Sequence, residues 1–431
     1  MLYENWLQTG AVNAQNTPDC PPLAGHIKTE CLVVGGGVTG LHAALRLVLA
    51  GKQVTLLEKT ICGGSSSGQS GGFLTPESEE DFLKLIRRYG KERAKLIYRA
   101  PSEGVRLIVD TIQTYGFQCD MRTQDSLYFS NKRSHIDAVE EEAEAREENT
   151  LPFQLLNKAQ LQQVHPGKGY LVALRYPGSY GINSFAYCQE LKRLLLTKGA
   201  AIFEHSEVHT QKGNTARTNG GSVSAEHMLI CMDKMKTEFN RELSKKFYHI
   251  QTYLTVSEPL TPEQMRALFP SGELMCWDTP WDYIHYRPVA GNRIIIGGSS
   301  PWTAYLPYHK RSSSVISSFV NKLKRAFPAI KDTEFNQYWS GMIDVTKDLV
   351  PIVDYDKDTK SIQYAMGCAG LNWAAFCGDY IARRVIDPTQ TEDLSAFLGA
   401  HRKFWVSHSL QSILGKRISF FINHVYELLR R

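Results

Sequence analysis

The clearest chemical signal in the chain is a glycine-rich turn, Gly35-Gly36-Gly37-Val38-Thr39-Gly40, which fits the spacing G-x-G-x-x-G. Gly35 permits a tight turn, Gly37 lets backbone approach a pyrophosphate, and Gly40 lets a helix pack closely on a strand. Val38 and Thr39 open that helix, whose N–H groups and positive dipole end attract phosphate. The next apolar strand, Val54–Leu57, runs into Glu58, within the ~20-residue spacing of a ribose-binding carboxylate. A carboxylate there repels a 2′-phosphate, so the expected ligand is FAD or NAD and not NADP.

Other residues add to this site. Ser66, Ser67 and Gly68 offer hydroxyls and open backbone for further phosphate or flavin contacts, where the plainer reading is a polar loop. Gly367 and Gly370 bracket a turn that opens a helix at Leu371 and Asn372. With FAD rather than NAD as the ligand, its N–H groups and dipole would suit the flavin edge where negative charge gathers on reduction. Arg287, in a strand of the second lobe, is expected to pair a substrate carboxylate in two-point fashion, or else to lie on a solvated face. Trp277, Trp281, Tyr283, Tyr286, Trp302, Tyr305 and Tyr308 form an aromatic stretch that suits an amine pocket or, for most members, a sheet core.

The elements that hold these residues follow from periodicity. Cys31–Val34, the glycine turn, Leu41–Ala50 and Val54–Leu57 read as strand, turn, helix, strand. Helices are expected over 81–113, 137–148, Ser184–Lys198 and Ser312–Ala326, the acidic run Glu140–Glu142 lying on a solvated face. Strands are expected at Ala201–Glu204, Glu207–His209 and Val223–Ile230, and a hairpin at 282–297. At 431 residues the chain exceeds a single core. The expected fold is α/β: a Rossmann-like doubly wound FAD domain from residues 25–100, 165–245 and 336–390. A second, antiparallel-sheet substrate domain would take 101–164 and 246–335, with a helical tail at 391–431. Residues 1–28 read as an irregular lead-in.

A formal charge of +5, spread along the chain, lacks the dense basic footprint of a nucleic-acid binder. Nine scattered cysteines without a Cys-x-x-Cys pair suggest neither a zinc site nor a disulfide scaffold. With no secretory signal and no long apolar run, a cytoplasmic protein is expected. Apolar residues at helical spacing from Leu410 to Leu429, with Lys416, Arg417, Arg430 and Arg431, are read as packing on the body rather than on a membrane.

Taken in order, these pieces resemble the FAD-dependent D-amino-acid oxidase and glycine oxidase superfamily, and within it the gamma-glutamylputrescine oxidoreductase-like proteins. The resemblance also rests on Pro21-Pro22-Leu23-Ala24-Gly25, 64–72 (Gly-Ser-Ser-Ser-Gly-Gln-Ser-Gly-Gly), Tyr176-Pro177-Gly178, Tyr286-Arg287-Pro288, 293–298 (Arg-Ile-Ile-Ile-Gly-Gly) and Thr346-Lys347-Asp348 with Pro351. It implies oxidation of the C–N bond of a small amine or amino acid, with oxygen or a quinone as acceptor. It implies FAD contacts at Lys59, Gly71, Gly72, Val208, Gly341 and Asp348, and roles for Tyr286 and Arg287 near substrate. Covalent relatives carry a cysteine where this chain has Ser340-Gly341-Met342, so the FAD is expected to be non-covalent. The chain departs from the family at Gln69-Ser70 and Leu371-Asn372, which keeps open a flavin-stabilised scaffold without turnover. It departs again at Ile295, where oxidase members carry a lysine that helps oxygen react; Arg293, nearby on the same strand, is the candidate substitute.

Overall fold

The Gly25–Val34 strand organises the first lobe, because its last four residues are apolar and buried on both faces. Cys31 and Val33 enter one core, Leu32 and Val34 the other. In the computed structural model, which describes residues 1–9, 17–236, 239–278, 284–298, 312–389, 391–402, 410–415, 418–419 and 422, this strand pairs in parallel with Val54–Leu57 and with Gly221–Ile230. Ala201–Phe203 and Ile362–Met366 extend the parallel set at either side. The helices Val38–Leu49, Lys91–Tyr115, Ser184–Thr197 and Leu371–Ile386 cover one face. Ala216, Leu243 and Phe247 pack on the other.

The second lobe is a nine-stranded sheet in the order Leu2–Tyr3, Gln337–Thr346, Phe247–Val256, Arg293–Gly298, Ile284–Val289, Leu274–Asp278, Asp125–Ser130, Val172–Tyr176, Gln154–Leu156. It is antiparallel except where Leu2–Tyr3 meets Gln337–Thr346 and where Leu274–Asp278 meets Asp125–Ser130. Leu161, Leu268, Phe319 and Leu323 bring three helices onto one of its faces. The expected hairpin is present as Ile284–Val289 and Arg293–Gly298.

Several elements sit differently from their sequence reading. Val172–Tyr176 and Gln337–Thr346, read as parts of the first lobe, are strands of the large sheet. The Lys91–Tyr115 helix, partly assigned to the second lobe, packs in the first-lobe core. Alternation marks a strand but not the sheet it joins, which partner strands decide. In place of a strand at Glu207–His209 there is one at Thr210–Lys212. The acidic run is not wholly solvated: Glu142 is buried, accepts the N–H groups of Phe82 and Leu83 at 3.0 and 2.8 Å, and pairs with Arg146 at 2.7 Å. The lead-in is ordered at both ends, with Leu2–Tyr3 in the large sheet and Cys20 N–H donating to Glu204. Most of the C-terminal stretch, including Phe421, Val425, Leu428 and Leu429, lies outside the described residues; within it Ile413 is 80% exposed.

Asp348 anchors the segment that follows the fold. Arg402 meets it in two-point fashion at 2.8 Å through both Nε and Nη2, and Tyr89 and Thr346 hydroxyls donate at 2.8 Å. Burial alone would raise the Asp348 carboxyl, but the Arg402 charge and these donors outweigh it and hold the carboxyl down to about 2. Its pKa is thus lower folded than unfolded, so its stabilisation is complete above about pH 4 and fades as pH falls towards 2. Arg402→Met, which removes the two-point partner of a buried carboxylate and leaves Arg88 3.8 Å away, is expected to cost about 3 kcal/mol at neutral pH. Urea unfolding from pH 7 to pH 2.5 should show wild type and variant converging on the acid side; a gap independent of pH would refute the pairing.

Candidate functional site

The glycine turn lies at the carboxyl edge of the parallel strands, where α/β sheets place ligands. Gly35 has φ 110°, and a side chain there would meet the Cys231 carbonyl at 2.6 Å. A Cβ on Gly40 would lie 1.9 Å from the Gly35 carbonyl oxygen, so the helix rests on the end of the strand only because Gly40 lacks a side chain. The helix begins without a side-chain cap of its own. Glu58 accepts the Gly36 N–H at 2.7 Å and the Thr60 N–H at 2.9 Å, which brings its carboxylate to the turn. Val208 packs nearby, after Ser206, whose N–H donates to the Glu58 carbonyl.

A loop from Gly63 to Gly72 closes over this edge. Gly63 N–H donates to Gly36 O, and Gly68 N–H returns to Gly63 O. Ser67 Oγ accepts the Val38 N–H at 3.1 Å, beside the position a Gly37 side chain would occupy. Ser66 Oγ lies within hydrogen-bond distance of both the Met342 carbonyl, at 2.7 Å, and the Asp233 carboxyl, to one of which its single proton is donated. Asp233 in turn accepts the Asp344 N–H, and Asp344 bonds His249. Burial and the neighbouring Asp344 push the Asp233 carboxyl up to about 6. Lys234, at φ 60°, donates through Nζ to Ser65 Oγ. The loop therefore spans the seam between the lobes. Gln69 reaches Gly341, and its Oε1 is buried without a partner there.

Gly71 and Gly72 complete the loop under Arg287. The guanidinium is buried and donates to the carbonyls of Gly71, Ile182 and Pro288 at 2.8, 2.5 and 3.1 Å. Burial without a contacting carboxylate lowers its pKa to about 10. Against the expectation of a substrate partner, the contacts of this guanidinium are to backbone and to Gln124 Oε1 at 3.5 Å. Tyr286, one residue earlier on the strand, points to the opposite face, where its hydroxyl meets His165 at 2.6 Å and Tyr170 at 3.1 Å. It belongs to the core of the second lobe, away from the loop.

Gly367 and Gly370 take φ 64° and 91° and open the Leu371–Ile386 helix as read. Asn372 does structural work, donating to the carbonyls of Thr75 and Glu77 at 2.7 and 3.0 Å, while Leu371 is buried. Two other expected contacts lie apart from the cradle: Asp348 is committed to Arg402, and Lys59 is exposed. Trp277 packs with Tyr128 and Tyr176 in a sheet cluster, whereas Trp281, Tyr283, Trp302, Tyr305 and Tyr308 lie outside the described residues. Sequence reading missed the buried pair Lys192–Glu204, whose carboxylate also accepts the Cys62 N–H that leads into the loop. It missed Asp233 and Asp344 as well. Their one legible trace is polarity at strand ends in otherwise apolar surroundings.

Ile295 is wholly buried in an apolar cluster with Leu7, Leu254, Val256, Val289 and Trp339. Arg293 is turned elsewhere, donating to Ser257 O at 2.7 Å and pairing with Glu258 at 3.2 Å.

The cradle fits FAD: a glycine turn at a strand edge, a helix start whose N-cap glycine supplies no side chain, a carboxylate at ribose distance in sequence, and a buried orphan acceptor at Gln69. A family model described as FAD dependent oxidoreductase matches residues 30–384. The chain is 26% identical over 350 residues to gamma-glutamylputrescine oxidoreductase of Escherichia coli, covering 80% of each chain. It is 25% identical over 391 residues to a probable oxidoreductase, OrdL, of Haemophilus influenzae, covering 88% of this chain and 87% of that one. The crystal structure of glycine oxidase from Geobacillus kaustophilus superposes with a TM-score of 0.72 at 18% identity, over 88% of this chain and 100% of that one.

Arg287→Ala is expected to leave the buried carbonyls of Gly71 and Ile182 without this donor, at about 1–3 kcal/mol each, whereas Pro288 O keeps Gln124 Nε2 at 2.9 Å. Melting of the apoprotein should drop and FAD should be lost with it. A variant of unchanged melting temperature with a raised KM would restore the substrate role. Gly37→Val is expected to abolish FAD binding, read by flavin absorbance after gel filtration, without unfolding the protein.

Proposed function

The chain belongs to the family of FAD-dependent oxidoreductases, and from that premise we propose that it oxidises the C–N bond of a small amine or amino acid with non-covalent FAD, delivering electrons to a quinone-type acceptor more readily than to oxygen. Two of the named proteins, the gamma-glutamylputrescine oxidoreductase and the glycine oxidase, are named for nitrogen compounds, which supports the substrate class. FAD supplies, when bound, an acceptor for the hydride on the carbon next to nitrogen, and water then hydrolyses the imine. The Gly37 backbone and the Ser67 hydroxyl would hold the diphosphate, Glu58 the ribose, and the helix start at Leu371 would stabilise charge on the flavin ring. Gln69 Oε1, buried at the seam, is suited to accept an N–H from the ring edge or the amine.

The acceptor preference is carried by one observation, the apolar enclosure of Ile295. Oxygen reduction passes through an anion, and a desolvated cation beside it is worth several kcal/mol. Ile295 supplies no charge, and Arg293 is held by Glu258.

Acid precipitation of the yellow protein should leave the colour in solution. Anaerobic addition of an amine and amino-acid panel should bleach the flavin with at least one member; a panel that leaves it oxidised would favour the scaffold reading. With that substrate, turnover with a quinone or dye should exceed turnover with oxygen, and equal or faster oxygen turnover would overturn the preference. Ile295→Lys should raise oxygen reactivity while lowering thermal stability, since the cation enters an apolar cluster.

A further inference from the structure

The segment before residue 30 lies outside the family match, yet its first nine residues reach the cofactor loop. Leu2–Tyr3 forms an edge strand on Gln337–Thr346, and Gln337 Nε2 donates to Glu4 at 2.6 Å. The chain then crosses to the first lobe, where Asn183 Nδ2 donates to Leu7 O at 2.9 Å. Asn183 also accepts the Ala186 N–H, so one residue caps the Ser184–Thr197 helix and grips this strap. Leu7 enters the apolar cluster around Ile295 and Trp339.

Asn5 stands at the crossing. Its Nδ2 donates to Gly68 O at 3.1 Å, and its Oδ1 accepts the Leu7 N–H at 3.1 Å. On the adjacent carbonyl, Gln69 O, Trp339 Nε1 donates at 3.1 Å. Both carbonyls belong to the short turn Ser67–Gln69. That turn carries the Ser67 hydroxyl at the Val38 N–H and the Gln69 side chain at Gly341. Gly68 admits no side chain that would stiffen the turn from within, since a Cβ would fall 2.1 Å from Gly63 O. The turn is held from outside, by one donor from each of two carriers.

We infer that Asn5 is a positioning residue of the cofactor site: its amide fixes the Ser67–Gln69 turn, so the N-terminal strap sets how tightly FAD is held. This rests on the flavoenzyme reading above. Asn5→Asp isolates the contact, because Oδ still accepts the Leu7 N–H while the donor facing Gly68 O becomes an acceptor. Asn5→Ala removes both contacts, and Leu7→Ala removes apolar packing but keeps the amide.

The test is reconstitution of each apoprotein with FAD, read by flavin absorbance and fluorescence, beside apoprotein melting. Asn5→Asp and Asn5→Ala should weaken FAD binding about tenfold or more and shift the flavin bands, with apoprotein melting within about 2 °C of wild type. Leu7→Ala should lower melting and leave FAD affinity near wild type. An Asn5→Asp protein that binds FAD within about twofold of wild type overturns the inference. So does FAD loss that merely follows a fall in melting temperature across all three variants. Wild-type apoprotein that takes up no FAD sinks the flavoenzyme reading itself, a distinct result.

Discussion

The fold turns on how closely one helix can approach two neighbours. A Cβ on Gly40 would sit 1.9 Å from the Gly35 carbonyl, and one on Gly378 would sit 2.1 Å from the Thr39 carbonyl. The first contact presses the Val38–Leu49 helix onto the end of its strand. The second presses the Leu371–Ile386 helix, which arrives more than three hundred residues later, onto the first. A third close approach, Gly104 against the Asn372 carbonyl at 1.9 Å, brings in the Lys91–Tyr115 helix. Protein interiors tolerate no overlap of this size, so these glycines fix the helix layer. The layer in turn brings two helix N-termini to the same strand edge.

What the layer leaves exposed at that edge, the second lobe covers. The seam is built mainly from side-chain donors serving backbone carbonyls of the 63–72 loop: Asn5 on Gly68, Trp339 on Gln69 and Arg287 on Gly71. A buried carbonyl without a donor costs about 1–3 kcal/mol, so each donor is retained for the loop and is not available to a ligand. The arginine makes the point most sharply. Its position in a second-lobe strand suits carboxylate binding, yet its surroundings commit it to architecture. The contrast with Gln69, whose buried oxygen has no partner, separates scaffold from site within a few residues.

The polar and apolar halves of the seam differ in character. Around Ser66, Asp233, Asp344 and His249 the contacts form a connected polar set. Around Ile295, Leu7, Leu254 and Trp339 they form a closed apolar one.

By itself the sequence determined the local grammar. The spacing of Gly35, Gly37 and Gly40, the strand before and after, the carboxylate at Glu58, the 284–298 hairpin and the turn at Gly367 all act over a few residues, where steric rules and side-chain period suffice. The colinear order of these pieces also pointed to the family. Tertiary structure alone decided which sheet Val172–Tyr176 and Gln337–Thr346 join, because strands of equal pattern differ only in their partners. It alone showed that Arg287 and Asp348 meet partners within the chain, because a charged residue reads the same in sequence whether a ligand or the chain answers it. The N-terminal strap was invisible for the same reason: Asn5 gains its role from Gly68, sixty-three residues away, and no short-range period records that meeting.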